Sequence, residues 1–309
     1  MNKNTERISF HDEISRNKAK SIILMSIIFI TFLIIGYIIS IILDPSYFFI
    51  IMIFSIIFSL SYILISYYNS DKIALASVNA QQASQIKHRL LYNVVEGISL
   101  ASGLPMPKLY VMNSPEINAF ASGRDPKNSV ICVTTGCLEK LNKQELEGVI
   151  AHEMSHIANY DIRFMTLTAI LVGMVSIIAE IFLRSLWHSN ISSDRKSGRL
   201  QVILILIGII FAILAPIFTQ LVSLTISRKR EFTADATAVK FTRYSPGLLS
   251  ALEKIKNEHL SQEEIKEIKH THSKALTPLF ISDPYKKKIQ NLFSTHPDIN
   301  ERIDKLRRM

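Results

Sequence analysis

Apolar residues concentrate in four long runs of the chain, and this pattern predicts membrane helices. The runs are Ser21–Leu43, Ser46–Tyr68, Phe164–Leu183 and Leu200–Ile226. An α-helix needs about 20 predominantly apolar residues to cross the hydrocarbon core of a bilayer. The interiors of the runs carry no charge apart from Glu180, near the end of the third run. We therefore expect two helical hairpins in the membrane.

The runs divide the chain into five parts. In chain order we expect a basic tail over residues 1–20, a membrane hairpin over 21–68, the first part of a folded domain over 69–163, a second hydrophobic hairpin over 164–226 and the second part of that domain over 227–309. No cleavable signal peptide is evident, because the first run is too long for one. This order predicts a mainly α, multi-pass membrane protein whose polar domain is assembled from two separate stretches.

Basic residues next to the apolar runs predict the orientation of the chain. Five of them precede the first run, namely Lys3, Arg7, Arg16, Lys18 and Lys20. Such residues stay on the cytoplasmic side of a membrane helix. An even number of spans keeps both parts of the polar domain on that side. The loop before the fourth run carries Arg195, Lys196 and Arg199, which is unusual for an external loop, so partial penetration of the second hairpin stays open.

Local patterns predict short elements in the polar segment between the hairpins. Residues 71–101 are typical of a helix, which Ser102-Gly103-Leu104-Pro105 ends. Lys108–Met112 and Ser129–Thr135 are rich in Val, Ile, Tyr and Thr and predict strands, with a loop over Pro115–Phe120 between them. We therefore expect a small β-sheet beside the helices of this domain.

Capping signals predict the starts of three further helices. Asn142 followed by Glu145 is typical of a capping box and predicts a helix from Lys143. Because no proline interrupts it, that helix is expected to continue into the third apolar run. Proline near the first turn marks two later helix starts, at Ser245-Pro246 and at Thr295-His296-Pro297.

Charge and cysteine content exclude two classes of protein. The formal net charge is +9, but the basic residues form neither one stripe nor a recognisable nucleic-acid module, so we expect no nucleic-acid partner. Cys132 and Cys137 are the only two cysteines, and they lack partner ligands with the spacing of a zinc knuckle. We expect two partly buried free thiols in a reducing compartment.

The pattern H-E-x-x-H, typical of a zinc site, lies on the helix predicted from Lys143. His152 and His156 are four residues apart, so their side chains share one helix face and can bind a single ion. Glu153 is turned by about 100° from His152, which brings it near a water on the metal without making it a ligand. Zinc suits imidazole nitrogens, and catalytic zinc takes three protein ligands with one open position. We expect one zinc ion per chain.

A third ligand must come from another part of the chain. Glu231 and Asp235 are also four residues apart and share a helix face. One carboxylate can bind the metal while the other accepts a hydrogen bond from the remaining N–H of a ligand histidine. The same spacing is common on solvated helices, and spacing alone does not assign the two roles.

These motifs together resemble the HtpX family of membrane zinc proteases. The residues concerned are His152–His156 followed by Asp161, Arg230-Glu231 with Ala234-Asp235, Asn118-Ala119-Phe120 and Thr295-His296-Pro297. The resemblance covers nearly the whole chain, and the CAAX prenyl endopeptidases are more distant relatives. It implies a gluzincin-like protease domain with a small sheet beside the active-site helix, in a bacterial-type inner cell membrane.

The resemblance also implies roles for single residues at the metal. Glu231 would be the third zinc ligand, and Asp235 would support a ligand histidine from behind. Glu153 would take a proton from the attacking water and return it to the leaving amine. His296 and Arg302 would stabilise the negative charge that develops on the carbonyl oxygen. Without the resemblance, His296 fits a helix start and Arg302 fits a surface ion pair equally well.

The resemblance further implies a surface that holds the substrate backbone in extended form. The residues expected there are Asn118, Ala119, Phe120 and Val133, together with the strand Ser129–Thr135. Without the resemblance, Asn118 can equally make a turn. The expected partners are polypeptide substrates and the lipid bilayer.

The main functional prediction is a membrane-integrated endopeptidase that removes damaged or misassembled membrane proteins. His156 lies eight residues before Phe164, about 12 Å along a helix, so the active site is expected close to the membrane surface. Two alternatives remain open. A CAAX-type processing enzyme characteristically has more spans than four, and a zinc-binding scaffold without catalysis has no need of Glu153 between the histidines.

Overall fold

The computed structural model describes residues 10–43, 45–171, 173, 228–258, 260–261, 263–264, 268, 279–281 and 298–309. Several sequence-based expectations lie outside these residues. They are the expectations for Glu180, His296, the fourth apolar run and most of the third.

The first two apolar runs form an antiparallel pair of long helices. Helix α1 covers Phe10–Leu43, a short 3₁₀ turn covers Pro45–Tyr47 and α2 covers Phe48–Tyr68. Within them Ile14–Ile41 and Phe48–Tyr68 are long and apolar enough to cross a membrane. Residues 10–20 of the expected basic tail contain no Gly or Pro and are helical, because they continue the helical hydrogen bonding of α1.

Small residues allow α1 and α2 to approach closely. A Cβ atom added to Gly36 of α1 would lie 2.0 Å from Oγ of Ser55 on α2, so no larger residue fits at this crossing. Small residues at helix contacts are typical of membrane proteins, where helices associate through close packing. The outward side chains are large and apolar, including Ile30 and Phe54, which are 53% and 68% exposed. These faces suit contact with lipid.

The polar domain contains a four-stranded mixed sheet. Its strands are β1 (Gln81–Gln82), β2 (Lys108–Met112), β3 (Ala119–Asp125) and β4 (Asn128–Thr134), in the spatial order β1-β2-β4-β3. Strands β2 and β4 are parallel, and the other two pairs are antiparallel. The two predicted strands are therefore confirmed, whereas β1 and β3 were not predicted. In the described part of the chain β3 is an edge strand.

Helices pack on the sheet and on one another. In chain order they are α3 (Ser70–Ser77), α4 (Arg89–Ser102), α5 (Thr135–Lys140), α6 (Lys143–Ala158), α7 (described over residues 161–171), α8 (Arg228–Thr242), α9 (Ser245–Asn257) and α10 (Ile299–Leu306). The single helix predicted over 71–101 is wrong, since β1 and its flanking turns separate α3 from α4. Gly103 ends α4 in the left-handed conformation, as its position predicted.

Helix α6 is the central element of the domain. It contacts α4, α8, α9 and β3, and every residue from Gly148 to Ala158 is buried. The predicted capping box is confirmed: Asn142 Oδ1 accepts from the Glu145 N–H at 3.0 Å, and Glu145 Oε2 accepts from the Asn142 N–H at 2.8 Å. A helix buried on all sides must satisfy each of its polar side chains within the protein.

The predicted continuation of α6 into the third apolar run is wrong. Helix α6 ends at Ala158, and Tyr160 adopts φ +58° before α7 begins at residue 161. The left-handed conformation costs roughly 1–2 kcal/mol for a residue with a Cβ atom. The break turns the chain so that the side chain of Asp161 reaches back to His156, which an unbroken helix does not allow at this spacing.

Gly148 permits the close packing of α6 against α9, and we expect Gly148→Ala to destabilise the protein by about 1–3 kcal/mol. An added Cβ would lie 2.4 Å from the Leu248 backbone N and 2.6 Å from its Cα, so the two helices must move apart. Thermal unfolding of the detergent-purified protein measures the effect.

The matched control is Gly97→Ala, on the exposed face of α4, where an added Cβ meets nothing within 4 Å. This variant is expected to be neutral or to gain up to about 1 kcal/mol, because Ala favours a helix more than Gly does. Equal unfolding midpoints for the two variants would show that the α6–α9 contact does not limit stability.

Candidate active site

Two histidines of α6 direct their Nε2 atoms at each other. His152 and His156 are 1% and 5% exposed, and their Nε2 atoms are 3.2 Å apart. The rings are perpendicular, with centroids 4.8 Å apart. The i, i+4 spacing therefore brings the two rings to one point on the helix, as the sequence predicted.

Glu231 brings a carboxylate to the same point from α8. Its Oε2 lies 3.5 Å from His152 Nε2, and its Oε1 lies 3.8 Å from His156 Nε2. The possible ligand atoms of the three residues all lie within 4.8 Å of one another. Zinc with bonds of about 2.0–2.1 Å in a tetrahedron has ligand atoms roughly 3.3 Å apart, so the separations fit a zinc ion closely.

The Nδ1 atom of each imidazole ring lies beside a carboxylate. Asp235 Oδ1 lies 3.0 Å from His152 Nδ1, and Asp161 Oδ2 lies 3.1 Å from His156 Nδ1. A neutral imidazole that donates from Nδ1 has only a lone pair at Nε2. Two lone pairs 3.2 Å apart repel each other unless a cation lies between them. The donor set therefore fits a bound metal ion.

The surrounding charges also favour a cation. Burial and the Arg302 guanidinium lower the pKa of His152, but hydrogen bonds and charges from Asp235 and Glu231 outweigh them and raise it to about 9. These neighbours thus favour a positive charge on the His152 ring. A divalent cation beside the ring replaces the proton that carries this charge, so metal binding releases it.

Arg302 fixes the carboxylate behind His152. Its Nε donates to Asp235 Oδ2 at 2.9 Å and its Nη2 donates to Asp235 Oδ1 at 2.7 Å, a bidentate pair. The guanidinium is 2% exposed and also lies 3.8 Å from Glu231 Oε2. Burial opposes ionisation of Asp235, but Arg302 and His152 outweigh it and lower the pKa of this carboxyl group.

Glu153 lies beside the metal ligands and is 1% exposed. Burial raises the pKa of its carboxyl group, while the two neighbouring histidines act in the opposite direction. The Ala121 backbone of strand β3 lies beside this carboxylate and favours its charged form, which acts to lower the pKa. A carboxylate with a raised pKa next to a metal site is suited to accept and release a proton near neutral pH.

Comparisons with known proteins identify the family of this chain. The model of peptidase family M48 matches residues 80–309. The chain belongs to peptidase family M48. This M48 chain is 48% identical over 259 residues to a protease HtpX homologue of Caldanaerobacter subterraneus subsp. tengcongensis, covering 83% of this chain and 84% of the relative.

Other relatives match over nearly the full length. A protease HtpX homologue of Dictyoglomus thermophilum is 40% identical over 301 residues, covering 97% of this chain and 95% of the relative. A protease HtpX homologue of Streptococcus pyogenes serotype M49 is 35% identical over 304 residues, covering 97% and 99%. The crystal structure of S. mikatae Ste24p aligns over 94% of this chain and 65% of that chain, with TM-score 0.48 and 18% identity. The family match and the HtpX relatives show that the M48 chain is a metalloprotease of the HtpX type.

Strand β3 of the M48 domain lies along the active-site helix. Its first residue, Ala119, accepts a backbone hydrogen bond from the Ile281 N–H at 3.0 Å, and Ala121 contacts Glu153. Asn118 immediately precedes the strand and is 1% exposed. Its Oδ1 accepts from the Ala119 N–H at 3.1 Å. Ala121 of the same strand thus lies beside Glu153, and the substrate-binding role expected for Asn118 and Ala119 stays a prediction.

The other two residues expected at the substrate are placed differently. Phe120 is fully buried and packs edge-on against Phe280, with ring centroids 5.3 Å apart. Val133 is fully buried in the core, and its strand β4 is paired with β2 on one edge and β3 on the other. The expectation that the strand Ser129–Thr135 holds the substrate backbone is therefore wrong, since neither edge of β4 is open.

Sequence reasoning assigned no role to Asp161 and Arg230, although both meet at the site. Arg230 Nε lies 3.1 Å from Asp161 Oδ1, and both side chains are buried. A possible signal was the position of Asp161 five residues after His156, just beyond the end of a helix. Cys132 and Cys137 are free thiols, as predicted, but both are fully buried, whereas partial burial was expected.

Arg302→Leu is expected to destabilise the protein by about 3–5 kcal/mol, because it leaves the buried Asp235 carboxylate without its bidentate partner. The control, Arg307→Leu, removes an exposed ion pair with Glu253 at 2.8 Å and is expected to cost about 0–1 kcal/mol. Thermal or denaturant unfolding compares the two. Equal losses would contradict the importance of the buried pair.

Proposed function

We propose that this chain is a zinc endopeptidase that cleaves damaged or misassembled membrane proteins beside the cytoplasmic face of a bacterial-type cell membrane. His152, His156 and Glu231 are the proposed ligands of one zinc ion. The observation that carries the proposal is the pair of Nε2 atoms 3.2 Å apart, on rings whose Nδ1 atoms both contact buried carboxylates. Zinc bound there supplies Lewis acidity and lowers the pKa of a water molecule.

Glu153 is the proposed general base. Its carboxylate takes the proton of the attacking water and later returns it to the leaving amine of the substrate. Burial raises the pKa of its carboxyl group toward neutral pH. The Ala121 backbone beside it keeps the carboxylate oriented. Because Glu153 is buried, bulk water does not reach the proton on its carboxyl group.

Arg302 and Asp235 are proposed as positioning residues. Asp235 holds His152 at Nδ1, and Arg302 holds Asp235 by two hydrogen bonds, so His152 presents Nε2 in a fixed direction. Such support behind a metal ligand fixes its tautomer and orientation. The transition-state role expected for Arg302 and His296 stays a prediction. The described contacts of Arg302 are with Asp235, Glu231, His152 Nδ1 and the Ile281 carbonyl oxygen.

Strand β3 is the proposed binding edge for the substrate backbone. An extended peptide can add to an open strand edge by backbone hydrogen bonds without regard to its side chains. The carbonyl oxygen of Ala119 faces Ile281, and the backbone N–H of Ala121 faces Glu153. Both groups point away from β4. A peptide bond of a chain paired there lies next to the proposed base. Asn118 would support the start of this edge through its contact with the Ala119 N–H.

Glu153→Gln is expected to keep about one zinc ion per chain and to lower kcat by roughly 10²–10⁴-fold or more, since the amide cannot accept the proton. Zinc content and casein hydrolysis by the detergent-purified protein, with and without a chelator, provide the measurement. Glu147→Gln on the same helix is the control, because the ion pair of Glu147 in the described part of the chain is with Lys143, at 3.6 Å.

The outcomes separate the parts of the proposal. Chelator-sensitive cleavage by the wild type and by Glu147→Gln, but not by Glu153→Gln, supports the enzyme and its base. Full proteolysis by a contaminant-free Glu153→Gln protein would remove Glu153 from the mechanism. Zinc in all three proteins without cleavage of any unfolded membrane protein would indicate a zinc-binding scaffold.

The cytoplasmic location of the site yields a separate prediction. The basic residues before the first span favour the cytoplasm, and two spans return the chain to that side. A cysteine introduced by Lys256→Cys, exposed near the end of α9, is expected to react with a membrane-impermeant maleimide only in inside-out vesicles. Labelling in right-side-out vesicles instead would reverse the proposed orientation.

The parent protein is the background control for that labelling. Its two cysteines, Cys132 and Cys137, are fully buried, and burial raises the pKa of both thiols. The reactive form of a thiol is the thiolate, so the native cysteines are expected to label poorly.

A further inference from the structure

We propose that Asn17, on the first membrane helix, is a positioning residue of the metal site that acts on His156 through Asp161. The proposal rests on the zinc site proposed above and extends it to a residue far away in sequence. It implies that the membrane hairpin is part of the active site as well as an anchor. Four observations carry it.

The first observation is the pair of hydrogen bonds made by the Asn17 amide. Its Nδ2 donates to Asp161 Oδ1 at 2.7 Å and to the Asn159 carbonyl oxygen at 3.1 Å. An amide NH₂ group has two hydrogens, and these two acceptors use both of them. Asn17 is 5% exposed, although the neighbouring residues Arg16 and Lys18 are exposed. This side chain thus points into the protein from a helix whose adjacent residues face outward.

The second observation concerns the carboxylate that receives this hydrogen bond. Asp161 Oδ1 is shared by Asn17 and by Arg230 Nε, which lies 3.1 Å away, while Oδ2 is left for His156 Nδ1. The two donors on Oδ1 prevent rotation of the carboxylate, so that Oδ2 stays directed at the imidazole. Asp161 is 2% exposed and therefore needs such donors in place of water.

The third observation is the strained turn that carries Asp161. Tyr160 has φ +58°, a conformation that persists only where the surroundings impose it. Helix α1 contacts this turn twice: Asn17 binds the carbonyl oxygen of Asn159, and Lys18 Nζ lies 4.7 Å from the centroid of the Tyr160 ring. The start of α1 thus contacts the turn at two consecutive residues, Asn159 and Tyr160.

The fourth observation shows that α1 does not depend on Asn17 for its place. Leu24 and Ile28, further along α1, are buried in one cluster with Phe164, Leu167 and Leu171 of α7. Tyr62 of α2 donates a hydrogen bond from its hydroxyl group to the Leu171 carbonyl oxygen at 3.1 Å. Because these contacts hold the hairpin against α7, a change at Asn17 is expected to leave the hairpin in place.

A neutral amide at position 17 also suits the charges around the Asp161 carboxylate. Asp161 already has the positive charge of Arg230 beside it. A neutral amide adds a donor without adding charge, whereas Asn17→Asp brings a second carboxylate against Oδ1 of Asp161. We therefore expect Asn17→Asp to be more damaging than Asn17→Ala or the similarly sized Asn17→Leu.

The experiment measures zinc affinity, kcat, KM and the unfolding midpoint of the full-length protein in detergent. Asn17→Ala and Asn17→Leu are expected to weaken zinc affinity and lower kcat by roughly 10-fold, with KM unchanged, and Asn17→Asp by up to roughly 100-fold. Zinc affinity is measured by competition with a fluorescent chelator. The control is Ser21→Ala, one turn along α1, whose hydroxyl group contacts only the Asn17 carbonyl oxygen among described hydrogen bonds.

A double-mutant cycle tests whether Asn17 acts through Asp161. If it does, Asn17→Ala combined with Asp161→Asn loses no more zinc affinity than Asp161→Asn alone. Additive losses, or wild-type affinity and kcat in both Asn17→Ala and Asn17→Leu, would overturn the proposal. A similar loss in Ser21→Ala would do the same, because it would indicate a general loosening of α1.

The same measurements distinguish this proposal from the proposed function. Zinc binding by the wild type without hydrolysis overturns the protease function, and the chelator competition still decides the role of Asn17. Hydrolysis by the wild type with unaltered zinc affinity in the Asn17 variants overturns only the role of Asn17.

Discussion

The candidate metal site depends on one constraint, which is that α6 is buried from Gly148 to Ala158 and yet carries two histidines and a glutamate there. Polar groups removed from water must find partners inside the protein, and charged groups must be paired. Asp235 and Asp161 meet this need at the two imidazole rings, and Ala121 meets it at Glu153. Arg302 and Arg230 then neutralise the two aspartates. The aspartates thus provide hydrogen-bond partners for the histidines of α6, and the arginines provide them for the aspartates.

Sequence reasoning identified the parts of this arrangement that follow from local spacing. The positions of His152 and His156, and the capping box at Asn142, are set by the geometry of a single helix, and the structure has both as expected. The pairing of Glu231 with the histidines was inferred with the help of a family resemblance, because spacing within α8 does not say what the helix faces. The apolar runs likewise predicted α1 and α2 through their length and composition alone.

The features that sequence reasoning missed depend on contacts between distant segments. Strand β3 includes Ser122, Gly123 and Arg124, a weak strand pattern that pairing with β4 stabilises. The break after Ala158 has no glycine or proline to mark it, and it persists because Asp161 gains His156 and Arg230 as partners. Asn17 is a polar residue at the start of an apolar helix, and only the folded structure shows which acceptors it meets.

The hydrogen bond between Ile281 and Ala119 has a consequence for the choice of substrate. If β3 receives the substrate, then an incoming chain must displace a segment of the same protein, which has a high effective concentration because it is tethered. A dilute soluble peptide competes poorly with such a segment. A protein confined to the same bilayer is concentrated in two dimensions and keeps its unfolded segments near the strand. Selectivity for membrane neighbours would then arise from competition for one strand edge, without a pocket that reads side chains.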